Sequence, residues 1–75
     1  MTSAKTVATA RMTAVASHMF VDAVTKSGNQ TFNSTGETWS EVMDRATRDM
    51  VAYAEAAGVT VTEAYAEVKA MVDAA

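Results

Sequence analysis

The chain has 75 residues, a formal net charge of −3 and 49% hydrophobic residues, with no cysteine, proline, leucine or isoleucine. That length allows one domain, and the missing cysteines exclude a disulfide framework and thiolate metal sites. The core is left to alanine, valine and six methionines, and it is thin: a fully buried valine or methionine returns only about 1.5–3 kcal/mol, against an ordering cost of about 1.5 kcal/mol per residue.

The first predicted element is a helix over residues 3–27. Met12, Val15, Ala16, Met19, Phe20, Ala23 and Val24 recur at spacings of three and four, the period of a helix with one broad apolar face. Gly28 is the expected left-handed cap at its end. The first 21 residues carry no acid, but Arg11 interrupts any apolar run in "VATARMTAVA", which argues against a secretory signal. No window approaches the length of a membrane span. The chain therefore reads as an intracellular protein with no membrane segment.

Residues 28–37, "GNQTFNSTGE", have the composition of a loop. Phe32 is its only large apolar group and is expected to tuck against the helices. Asn29-Gln30-Thr31 and Asn33-Ser34-Thr35 match the glycosylation pattern, a chance match without a secretory route.

A second helix is expected over residues 38–57. Thr38 stands at the N-cap with Glu41 three residues on, the arrangement of a capping box. Trp39, Met43, Ala46, Met50, Tyr53 and Ala57 then repeat at alternating intervals of four and three. On the other side Glu41, Arg45 and Asp49, together with Asp44 and Arg48, have the spacing of a solvated ladder of charge pairs.

Gly58 and Val59 predict a tight helix end, and Thr60 with Glu63 repeats the capping box at the start of a third helix over residues 60–75. Val61, Ala64, Tyr65, Val68, Met71, Val72 and Ala75 share its apolar face. The prediction is an all-α, three-helix domain. Its corner resembles a helix-turn-helix over residues 50–69, on the strength of Ala54, Gly58 and Val59. The helix after the turn departs from that pattern, with its large apolar groups at Tyr65 and Val68 and a glutamate at position 67. Residues 61–75 offer Lys69 against Glu63, Glu67 and Asp73, and such a helix repels phosphates.

Catalytic chemistry finds little purchase. Ser17, His18 and Asp22 have the residue types of a nucleophile, base and orienter, but neighbours on a helix point about 100° apart and cannot share a proton. His18 is expected as a boundary residue bonded to Asp22. With one histidine and acids interleaved with arginines, no metal site, cofactor or small-molecule substrate is expected.

Charge is divided unevenly along the chain. Residues 1–36 hold Lys5, Arg11 and Lys26 against Asp22, a net of +2, while residues 37–75 hold three cations against eight acids, a net of −5. Opposed halves favour pairing within one chain or between neighbouring chains; the alternative is that the acids simply keep the outer face soluble. The expected function is a non-enzymatic interaction or assembly module that binds itself or a larger protein, a profile seen in small accessory proteins of phages and mobile elements. Its candidate interface is Met12, Val15, Met19, Phe20, Trp39, Met43, Met50, Tyr53 and Tyr65. The alternative is a small helix-turn-helix regulator, for which the acidic third helix is a poor match.

Overall fold

Three helices make up the computed structural model, which describes residues 2–27 and 36–75: α1 (Ala4–Ser27), α2 (Trp39–Ala57) and α3 (Val61–Ala74). The expectations for Gly28, Phe32 and the two glycosylation patterns fall outside the described residues.

Local signals set the ends of α2 and α3. The Glu41 N–H donates to the Thr38 hydroxyl oxygen at 3.2 Å, and the Thr38 N–H donates back to the Glu41 carboxylate at 3.2 Å. Thr60 and Glu63 repeat the exchange at 3.1 Å in both directions. Each box satisfies backbone donors that the first turn leaves free. Gly58, at φ +71° and ψ 32°, ends α2 in the left-handed region. Its N–H donates to Glu55 O, and the Val59 N–H reaches back to Ala54 O at 3.1 Å, closing a Schellman-type end.

The core is built from small residues. Ala14, Met50, Tyr53, Ala54, Ala64 and Val68 form one buried cluster, edged by Val7, Ala10, Val15, Ala57 and Val72. Alanines at positions 14, 54 and 64 bury little area each, but they allow the backbones of all three helices to approach closely where they meet. Val24, Val42 and Ala46 are buried too. The Ser17 hydroxyl donates to Asp49 and the Arg45 guanidinium lies 5.6 Å over the Phe20 ring. Partners on α2 thus step backward as α1 advances, so the two helices run antiparallel.

One polar cluster ties the three helices together. The Tyr53 hydroxyl of α2 donates to the Glu67 carboxylate of α3 at 2.7 Å, and Arg11 of α1 lies 3.8 Å from the same oxygen. Desolvation of the buried ring, followed by the Glu67 charge, pushes the Tyr53 phenol above its ordinary pKa of 10.0.

Three expectations are corrected here. First, α1 buries a side centred away from its methionines: of the predicted face Val24 is buried and Val15 and Phe20 are half-buried, but the rest is not. Its inward positions are Val7, Ala10, Ala14, Ser17, Val21 and Val24, buried or half-buried, whereas Met12, Ala16, Met19 and Ala23 are exposed. The physical reason is space: where α1 meets the other helices the large side chains are Met50 and Tyr53 of α2, which leave room for an alanine at position 14. Second, the charge ladder on α2 does not form along the helix. Glu41 caps Thr38, Arg45 pairs with Glu37 at 2.7 Å, and Asp49 accepts from Ser17. Third, Asp22 pairs with Lys26 at 2.9 Å, and His18 instead stands edge-on to Tyr65, ring centres 5.7 Å apart.

Candidate interaction surface

Of the nine residues proposed from sequence as an interface, Met50 and Tyr53 are 3% and 2% exposed and belong to the core of the single chain. They are the knobs that α2 presents to Ala14 and Ala64, so nearly all of their surface is used within the chain. Val15, Phe20, Trp39 and Met43 are half-buried. Val15 edges the core and Phe20 lies under Arg45, while the Trp39 indole N–H is buried without a hydrogen-bond partner. Met12, Met19 and Tyr65 remain outside, at 69%, 44% and 48% exposure. The structure divides these exposed groups between two surfaces.

The first runs along the outer side of α1. Lys5, Thr9, Met12, Ala16, Met19, Ala23 and Lys26 succeed one another at alternating intervals of four and three. That is the spacing of a heptad seam, in which successive knobs stay on one line. All of these residues are exposed. Met12 and Met19 stand about 10.5 Å apart at 1.5 Å per residue, and the stripe ends in a lysine at either side. A helix with apolar residues on both sides is the pattern of an element covered on both sides. Among the described residues α1 is covered on one.

The second surface is a groove of 360 Å³ where the three helices diverge. Met43, Thr47 and Met50 of α2 form one wall, Val61 and Tyr65 of α3 the other, and His18 of α1 lies at its end. The groove exists because α3 is narrowly seated. Only Ala64 and Val68 of its apolar face are buried, while Val61 and Tyr65 are each 48% exposed and Met71 is 41%. Burial holds the His18 imidazole below its ordinary pKa of 6.5, with Asp49 pulling partly the other way. Its Nε2 is enclosed without a hydrogen-bond partner, so a neutral ring is favoured there.

The corner between α2 and α3 keeps the turn geometry that its residues predicted, yet its outer surface is acidic. Glu63 is held by its cap, which lowers its pKa below the ordinary carboxylate value through hydrogen bonds from Thr60. Lys69 pairs with Asp73 at 3.5 Å, and Glu67 is shared by Tyr53 and Arg11. Nothing on this helix gathers positive charge toward a phosphate. Among the described residues no three His, Asp or Glu side chains converge as a metal-holding group, and no helix is long and apolar enough to cross a membrane.

Compared with known proteins, the chain matches no family model, no curated protein and no solved structure.

Proposed function

We propose that this protein is a non-enzymatic assembly module that associates with further copies of itself through the outer stripe of α1. The observation that carries the reading is the doubling of apolar seams on α1. The inner seam through Ala14 is occupied by α2 and α3, while Met12, Ala16, Met19 and Ala23 of the outer seam stay exposed among the described residues, Met19 and Ala23 edging a hollow beside Val72 and Asp73 of α3.

The magnitude fits a reversible contact. From the exposed fractions of Met12 and Met19, covering both returns about 2–3 kcal/mol per stripe at the usual value for a buried methionine. The opposite surface of the contact adds a similar amount. Part is lost to the cost of holding two molecules together, so assembly is expected to be weak and to depend on concentration. Methionine suits such a seam because its flexible thioether adapts to a partner's shape.

Sedimentation velocity from low micromolar to millimolar protein tests the proposal. The weight-average mass should rise above the 7.9 kDa of one chain. The double variant Met12→Lys/Met19→Lys should keep its helical circular dichroism and melting temperature and stay at that mass. A wild-type protein that remains a single chain at every concentration overturns the reading.

A further inference from the structure

Resting on that reading, we infer that the α1 stripe meets the same stripe of a second copy, packed antiparallel about a two-fold axis, with Lys5 of each protomer entering a hollow between α1 and α3 of the other.

Side-chain size sets the direction. Along the seam Met12, Ala16, Met19 and Ala23 alternate large with small. Two parallel stripes in register stack methionine on methionine and alanine on alanine, and each alanine layer is left with a gap. Reversing one stripe and centring the pair at the level of position 14 brings Met12 opposite the partner's Ala16 and Met19 opposite the partner's Thr9, each contact made twice. Every thioether then has a smaller residue as its floor, the knob-and-hole relation that closes a seam.

Charge sets the same direction. In that register Lys5 lies opposite the partner's Ala23, at the edge of a hollow of 440 Å³ between the last two turns of α1 and the end of α3. Asp22 and Asp73 border this hollow, against one cation, Lys26. Lys26 is held by Asp22 at 2.9 Å, and Asp73 has Lys69, outside the hollow, at 3.5 Å with both side chains more than half exposed. The hydrogen bond and charge of Asp22, with a lesser pull from Asp73, keep the Lys26 ammonium above its ordinary pKa of 10.5, so both carboxylates are felt there. Lys5 makes no ion pair among the described residues. Its row, with Met12, Met19 and Lys26 every seven residues, is flanked by Asp22, and in an antiparallel pair like flanks adjoin. Lys5 thus arrives beside Asp22 as the second cation for two acids, at the negative end of the α1 dipole. In a parallel pair each Lys5 would meet the other. The antiparallel contact uses the same patch on both copies, so it closes at two.

Mass, distance and charge exchange test this. The weight-average mass should level off at twice that of the protomer; continued growth with concentration overturns the two-fold arrangement and leaves self-association standing. The chain has no cysteine, so Ala23→Cys, at an exposed position, carries one spin label per protomer. Nine residues from the axis on each copy, the two labels should stand about 27 Å apart along the helices at 1.5 Å per residue. A separation of about 8–10 Å, that of helices side by side, marks a parallel pair and overturns the proposal. Lys5→Glu should raise the dimer dissociation constant about tenfold, since an exposed charge contact is lost twice, and Asp73→Lys in the same chain should restore it. A Lys5→Glu protein that pairs as tightly as the wild type overturns the placement of Lys5 in the hollow. A wild type that never assembles overturns the self-association itself.

Discussion

Replacing Tyr53 by phenylalanine removes one oxygen atom from the point where all three helices meet. The ring is 2% exposed and its hydroxyl donates at 2.7 Å to Glu67. The Glu67 side chain, however, is 46% exposed and has Arg11 at 3.8 Å, so the carboxylate left behind can turn to water and to the guanidinium. The loss therefore falls within the ordinary range for a hydrogen bond, about 1 kcal/mol, a fall in Tm of roughly 4–8 °C for a domain of this size. The pH dependence supplies a second signature. Burial and the Glu67 charge raise the folded pKa of Tyr53 above the unfolded value of 10.0. The stability this phenol contributes is complete below that value and is lost as pH rises through the folded pKa. Phenylalanine cannot ionise, so the two proteins should converge in stability on the alkaline side. Urea unfolding followed by circular dichroism, at neutral pH and then upward past pH 10, measures both effects. A phenylalanine variant as stable as its parent at neutral pH, or one with an equal alkaline loss, would refute this account of the cluster.

Ala14 lies at 0% exposure in the three-helix contact, so Ala14→Leu should cost about 1–3 kcal/mol by overpacking, read as a lower urea midpoint. Gly58→Ala meets no atom within 4 Å of the added carbon; its cost is the left-handed backbone alone, about 1–2 kcal/mol, and Gly58→Asn should cost measurably less. Because burial lowers the folded pKa of His18, its contribution to stability is present above the unfolded value of 6.5 and lost as pH falls through the folded value. His18→Phe should flatten the pH dependence in that window, as seen in urea midpoints measured at successive pH values.

The helix ends were legible because they are written in neighbouring residues: Thr38 with Glu41, Thr60 with Glu63, and Gly58 before Val59 all act across six residues or fewer. The inward face of α2 was legible in part: Ala46, Met50 and Tyr53 of the predicted stripe are buried, while Val42 and Ala54, off that stripe, are buried too and Trp39 and Met43 only half-buried. On α1 the large apolar groups and the buried groups do not coincide. Two seams with the same spacing run along this helix, and hydrophobicity favours the one with methionines. What decides between them is how near the other helices come, a property of Ala14, Ala54 and Ala64 acting together and invisible to any one segment. The groove was missed for the same reason, as it arises from how narrowly α3 is seated. The available signal was the seam of small residues through Ala10, Ala14 and Ser17, whose value lies in what it lets close in.

The paired caps and the Gly58 corner give the segment from Thr38 onward its own start and stop marks, while α1 begins on Ser3 with no acid in its first turn. Order in this molecule should therefore spread from its C-terminal half. The hairpin of α2 and α3 can take shape on short-range information, and α1 joins it as a strut whose placement depends on a surface already made. Amide protons in the middle of α2 should then exchange with solvent last, and those in the opening turns of α1 first.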